Sequence, residues 1–184
     1  MTKVFFSGSR RLARLNQPVR DRADSIIARG FTVLIGDANG ADTLMQEYLA
    51  ERDYEKVIVF CTGAACRNNV GGWKTRHVKP GAGMQRGFRF YAAKDEKMSE
   101  EAAYGFVMWD GESIGTLNNI LNLLKQKKEV LVYFSPSEEF HSIEARRDLA
   151  ALLAGGGTGT LDDLERQLRI KKGGNVAQEQ LTFT

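Results

Sequence analysis

Residues 106–116, FVMWDGESIGT, restrict the fold more than any other stretch of this chain. An apolar run ends in Trp109-Asp110. Gly111 and Gly115 then bracket Ser113, and Thr116 opens a stretch with Leu117, Ile120, Leu121 and Leu124 at helical spacing. That order spells buried strand, tight turn, helix N-terminus. The first turn of a helix carries unpaired N–H groups and the positive end of the helix dipole, so the turn favours an anion such as phosphate. Asp110 falls at the carboxyl end of the strand, where open α/β sheets bind their ligands.

The same alternation runs through the chain. Residues 4–6, 31–35, 56–60, 104–109 and 130–134 read as apolar strands. Between them lie a helix beginning near Pro18 and ending before Gly30, then helices over 43–52, 85–97 and 117–127. Continuous apolar strands interleaved with helices imply a parallel sheet covered on both faces. The expected fold is α/β, Rossmann-like and doubly wound, with a mainly parallel sheet of five strands or slightly more. Residues 61–83 hold five glycines, Pro80 and no clean period, and read as a long loop. After Ser135 the pattern changes. Ser137 reads as the cap of a helix reaching about residue 153, residues 155–159 as a glycine joint, and Thr160-x-x-Asp163 as the capping box of a short basic helix. The expected organisation is a nucleotide-binding domain over 1–134 and a C-terminal helical extension with a polar tail over 135–184.

Composition sets outer limits. The 184 residues are 42% hydrophobic and 27% charged, which suits a globular protein with a real core. A net charge of +3 permits an acidic ligand without demanding nucleic acid. Cys61 and Cys66 are spaced C-x4-C, neither the redox C-x-x-C nor half of a common zinc pattern, and His77 and His141 lie far apart. No metal or other cofactor is expected. The cysteines read as free thiols of a reducing compartment. With no run long enough to span a membrane and no signal-peptide pattern, the expected location is the cytoplasm, away from any membrane.

In a doubly wound sheet the loops after the first, second and fourth of these strands open on one edge. Here they are Gly8-Ser9-Arg10, residues 36–42 with Gly36, Gly40 and Asp42, and residues 110–116. Glycines admit a ligand close to the backbone, and Arg10 can grip phosphate with two donors. Carboxylates suit ribose hydroxyls or acid–base work at a sugar instead. The plainer alternative is that such glycines only make turns and that Asp42 only favours the first turn of a helix.

These residues resemble the SLOG superfamily (SMF/DprA–LOG, Rossmann-like), and most closely its YspA-related branch. The matching features are Gly8-Ser9-Arg10, Gly36-x-Ala38-x-Gly40-Ala41-Asp42, Lys94-Asp95-x-x-Met98 and Trp109-Asp110-Gly111-x-Ser113-x-Gly115-Thr116, over about residues 1–134. The resemblance implies a nucleotide or nucleotide-derived ligand. Gly111, Ser113, Gly115 and Thr116 would hold phosphate, Gly8, Ser9 and Arg10 would line the same pocket, and Asp95 and Asp110 would face the sugar. Enzymatic relatives cleave N-glycosidic bonds as phosphoribohydrolases or deoxyribosyltransferases, and many members pair as homodimers. The phosphoribohydrolase pattern Gly-Thr-x-x-Glu here reads Gly115-Thr116-Leu117-Asn118-Asn119, so Asn119 stands where the catalytic Glu belongs. Asn can hydrogen-bond a hydroxyl but cannot act as a carboxylate nucleophile or base. If the chain is an enzyme, Asp110 and then Asp95 are the expected catalytic carboxylates, working through an oxocarbenium-like state. If it is not, the same pocket serves as a nucleotide-derivative sensor.

Three further signals compete. G-x-S-x-G at 111–115 has the form of a nucleophile elbow, but only His141 follows it as a base. Residues 67–97 interleave Arg67, Lys74, Arg76, Lys79, Arg86, Arg89, Lys94 and Lys97 with Trp73, Phe88, Phe90 and Tyr91. That mixture suits a DprA-like grip on single-stranded nucleic acid, or a lid with Trp73 on a base and Arg76 on a phosphate. Gln180-Leu181-Thr182-Phe183 resembles a sliding-clamp-binding peptide.

Overall fold

The computed structural model describes residues 1–173, so the 180–183 motif lies outside the described residues. Seven strands form one sheet in the order β4-β3-β2-β1-β5-β6-β7. They are β1 (Lys3–Gly8), β2 (Thr32–Ile35), β3 (Val57–Thr62), β4 (Lys74–Val78), β5 (Tyr104–Trp109), β6 (Val130–Phe134) and β7 (Glu139–Ile143). All neighbours pair in parallel except β6 and β7.

Six helices among the described residues cover the sheet: α1 (Gln17–Ala28), α2 (Ala41–Ala50), α3 (Phe88–Glu101), α4 (Ile114–Lys125), α5 (Arg146–Gly156) and α6 (Leu161–Gly173). Side chains alternate across a strand, so β1 feeds two cores. Val4 and Phe6 pack with α1 and α2 through Val19, Ala23, Met45 and Leu49. Phe5 packs on the other face with Met98 of α3, with Leu117 and Ile120 of α4, and with Leu149, Leu153, Leu164 and Leu168 of α5 and α6. This is the expected Rossmann-like, doubly wound α/β fold. Strand order reverses between β1 and β5, the switch point at which such sheets bind ligands.

Two elements differ from the sequence reading. β4 lies inside the expected loop 61–83. Its residues are KTRHV, exposed or half-buried at the sheet's edge, so it lacks the apolar run that marks a central strand. The expected helix from Ser137 is instead a four-residue turn followed by antiparallel β7, and the helix begins only at Arg146. Polar Glu138 and Glu139 mimic a helix start, but β6 offers an edge to pair with and a hairpin satisfies the backbone. The Thr160 capping box forms as expected: the Asp163 amide donates to Thr160 Oγ1 at 3.2 Å. Residues 139–173 share the sheet and its core, adding a strand, α5 and α6.

Candidate functional site

The β1, β2 and β5 loops meet over a cavity of about 720 Å³ at the carboxyl edge of the sheet. Gly8 and Arg10 enter it from β1, Gly36 and Asp42 from β2 and α2, and Asp95 from α3. Asp110, Ser113, Gly115, Thr116 and Asn119 enter from β5 and α4. The three loops expected to converge do line one cavity.

One side of the cavity is the start of α4. Ser113 is the N-cap, and its Oγ accepts from the Thr116 amide and from Thr116 Oγ1, the latter at 2.9 Å. A Cβ added at Gly115 would meet nothing within 4 Å, so the first turn faces open space a ligand can occupy. Asp110 is partly committed to this turn: its Oδ1 accepts from the amides of Glu112 and Ser113 at 3.0 and 2.8 Å. Its Oδ2 lies 4.0 Å from Arg11 Nε. Arg10 and Arg11 add cationic charge from the β1 loop, and Lys171 adds it from α6.

The opposite side is a buried charge cluster. Lys94 donates to Asp95 Oδ1 at 2.6 Å. Asp42, only 8% exposed, accepts from the Ala38 amide at 3.1 Å. Asp42 Oδ2 and Lys94 Nζ both crowd the α-carbon of Gly36, where a Cβ would come within 2.5 and 2.7 Å of them. Only glycine leaves room for that pair. Burial pushes the Asp42 carboxyl up to about 6, with Lys94 pulling the other way. Burial favours the neutral amine of Lys94, but Asp95 and Asp42 outweigh it and hold the ammonium above its ordinary range. Asp37 anchors the next loop. Burial opposes its charge, but two hydrogen bonds from Arg67 and the Lys94 charge hold its carboxyl below the usual range. Arg67 in turn stacks over Tyr91, which lines the cavity, at 4.3 Å from the ring centre.

Several expected site residues lie elsewhere. Trp109 is fully buried, and its Nε1 donates to Ser113 O at 3.2 Å; it packs under the turn rather than against a ligand. Arg76 is on edge strand β4, paired with Glu101 at 2.5 Å, away from the cavity. Trp73 donates to Tyr54 O at 2.8 Å and packs on the α1–α2 side, so it forms no lid. Ser9, Gly40 and Gly111 support the cavity from behind. Ser9 Oγ accepts from the Asp110 amide at 3.2 Å. Gly40, at φ 83°, lets the β2 loop pass so close to Arg10 that a Cβ would sit 2.3 Å from the Arg10 carbonyl oxygen. Gly111, at φ 79°, turns against Thr158. His141 is on β7 in a different depression from Ser113, so among the described residues no histidine stands beside the G-x-S-x-G serine.

The sequence reading gave no individual site role to Ser7, Lys94, Tyr91 or Asn118, although Lys94 stood in the Lys94-Asp95-x-x-Met98 motif and Tyr91 among the aromatics of 67–97. Asn119 Nδ2 donates to Ser7 Oγ at 2.8 Å, while Oδ1 of both Asn118 and Asn119 is buried without a partner among the described residues. Both asparagines line the cavity. Consecutive asparagines on an apolar helix face were the available signal.

The expected free thiols are also corrected. Cys61 and Cys66 are joined as a disulfide, because the loop after β3 folds back on the strand end with a Cα–Cα distance of 5.1 Å. Among the described residues no helix is long and apolar enough to cross a membrane. No protein-family model matches the chain, and no curated protein matches it.

Proposed function

We propose that the cavity binds a nucleotide or nucleotide derivative and cleaves its N-glycosidic bond. The observation that carries this reading is the polarity of one cavity. A capped helix start and arginines stand on one side, and a buried Asp42–Lys94–Asp95 cluster stands on the other. Phosphate suits the first. A sugar with its glycosidic bond suits the second, since carboxyls near a sugar supply acid–base and charge-stabilising chemistry.

In this reading Arg10 and the first turn of α4 fix the phosphate. Asp95, held by Lys94, faces the anomeric carbon and stabilises positive charge as the bond to the base lengthens. Asp42, whose proton is retained to about pH 6, donates it to the departing base. Water then adds to the anomeric carbon and gives one proton to the Asp42 carboxylate, which restores the starting acid. Asn119, replacing the relatives' Glu, contributes a hydrogen bond to a sugar hydroxyl. The SLOG resemblance supports the ligand class, and homodimer formation is proposed on the same ground.

Release of free base from ribonucleoside monophosphates tests the enzyme. It should be measurable with the wild-type chain and fall at least about 100-fold in Asp42→Asn, the usual range for loss of a general acid. Tight binding with no release from any of the four would instead establish the sensor. One observation favours the sensor specifically: Asp110, the first expected catalytic carboxylate, spends Oδ1 on its own turn. A single-strand nucleic-acid grip is disfavoured, because Arg67, Arg76, Lys94 and Lys97 are each paired with an acidic side chain.

A further inference from the structure

Away from the cavity, β3 and β4 bring together three groups that the proposed reaction does not use. Cys61 and His77 are directly paired positions in the β3–β4 ladder. Cys66 folds back onto them, and the donor atoms of Cys61, Cys66 and His77 all lie within 4.8 Å of one another. A tetrahedral zinc site, with bonds of about 2.3 Å to sulfur and about 2.0 Å to nitrogen, needs its donors roughly 3.5–3.8 Å apart. The two sulfurs are bonded to each other in this structure, so reaching that geometry requires the bond to break and the sulfurs to move apart by about 1.7 Å. A second observation orients the imidazole: His77 Nδ1 lies 2.9 Å from Gly63 O. A proton on Nδ1 given to that carbonyl leaves the Nε2 lone pair free. Backbone carbonyls orient ligating histidines in this way. Cys61 is buried, Cys66 half-buried and His77 exposed, so a cation can reach the donors from solvent.

We propose that Cys61, Cys66 and His77 form a redox-gated site for a thiophilic divalent cation of the zinc type, of which the disulfide is the oxidised, metal-free state. A dithiol reductant supplies two electrons and two protons. The Cys61–Cys66 bond breaks to give two thiols, and the reductant closes to its own cyclic disulfide. The cation then displaces the two thiol protons and takes two thiolate sulfurs and the imidazole nitrogen, releasing two protons per ion. Three protein ligands leave the fourth position to water.

The test uses the full chain, reduced with a dithiol, freed of reductant under anaerobic conditions, and titrated with cobalt(II) as the probe. The expected result is one ion per chain, with sulfur-to-cobalt charge-transfer absorption and the visible bands of a four-coordinate ion. Zinc should bleach these bands, and the disulfide form should show none. His77→Ala and Cys66→Ser should each weaken binding at least tenfold. Both positions are at or near the surface, and circular dichroism with thermal melting verifies that each variant folds. Absence of the bands in the reduced chain overturns the proposal. So does cobalt binding that His77→Ala leaves unchanged.

Discussion

At position 42 the fold buries a carboxyl where its charge is disfavoured, and the consequence is measurable without knowing the ligand. The folded carboxyl holds its proton to about pH 6, against an ordinary value of 3.8. A raised carboxyl value means that the folded chain binds the proton more tightly than the unfolded one. Stability from this group is therefore present below about pH 4 and lost as pH rises through about 6. Two units correspond to about 3 kcal/mol at the upper limit. Asp42→Asn should remove that downward slope, so the stability gap between variant and wild type should shift in the variant's favour from pH 4 to pH 7. Denaturant unfolding at both pH values measures it, and parallel profiles would contradict the placement of Asp42. The sequence showed which loops bear chemistry, because glycine, arginine and carboxylate after a strand carry local meaning. It did not show direction. Trp109 and Arg76 have suitable chemistry, but one points into the core and the other sits on an edge strand. Lys94 enters the sequence reading only as part of the Lys94-Asp95-x-x-Met98 motif and of the basic residues of 67–97, and packing against Gly36 and Asp42 makes it central.

Elements were legible in proportion to how much apolar surface they bury. β1, β2, β5 and β6 are near-continuous apolar runs, and α4 announces itself by cap and period. β4 and β7 stand at the two sheet edges with half their residues in water, so the apolar signal fades where pairing with one neighbour defines the strand. The start of α4 carries both structure and proposed function. Ser113→Ala removes the cap acceptor for the Thr116 amide and should cost about 1 kcal/mol of stability. It should also weaken binding of ribose 5-phosphate, because the first turn loses its set geometry. Chemical denaturation and calorimetric titration read the two effects separately. A cap loss without any change in phosphate-ester affinity would place the anion elsewhere.

On the scale of the whole molecule, residues 139–173, the last fifth of the described chain, belong to the core that supports the cavity. Leu164 and Leu168 of α6 are buried with α3 and α4, and Gln167 and Lys171 reach the cavity from the same helix. The glycine-rich stretch at 155–159 looked like a joint in sequence, but α5 runs through Gly156 and Gly157 ends it in the left-handed conformation. Leu164→Ala should therefore lower the stability of the entire chain by about 2–5 kcal/mol in one cooperative transition. Loss of a separate, earlier transition only would show α6 to be independent. The central claim is that one cavity holds a sugar-phosphate, and ribose 5-phosphate is its most direct probe, because no base preference enters. Calorimetric titration of that compound into the wild-type chain should give saturable one-to-one binding. Arg10→Ala should weaken it about 10- to 100-fold, the worth of a charged hydrogen bond, without lowering the melting temperature. No heat of binding to the wild type, or equal affinity in Arg10→Ala, would contradict the account.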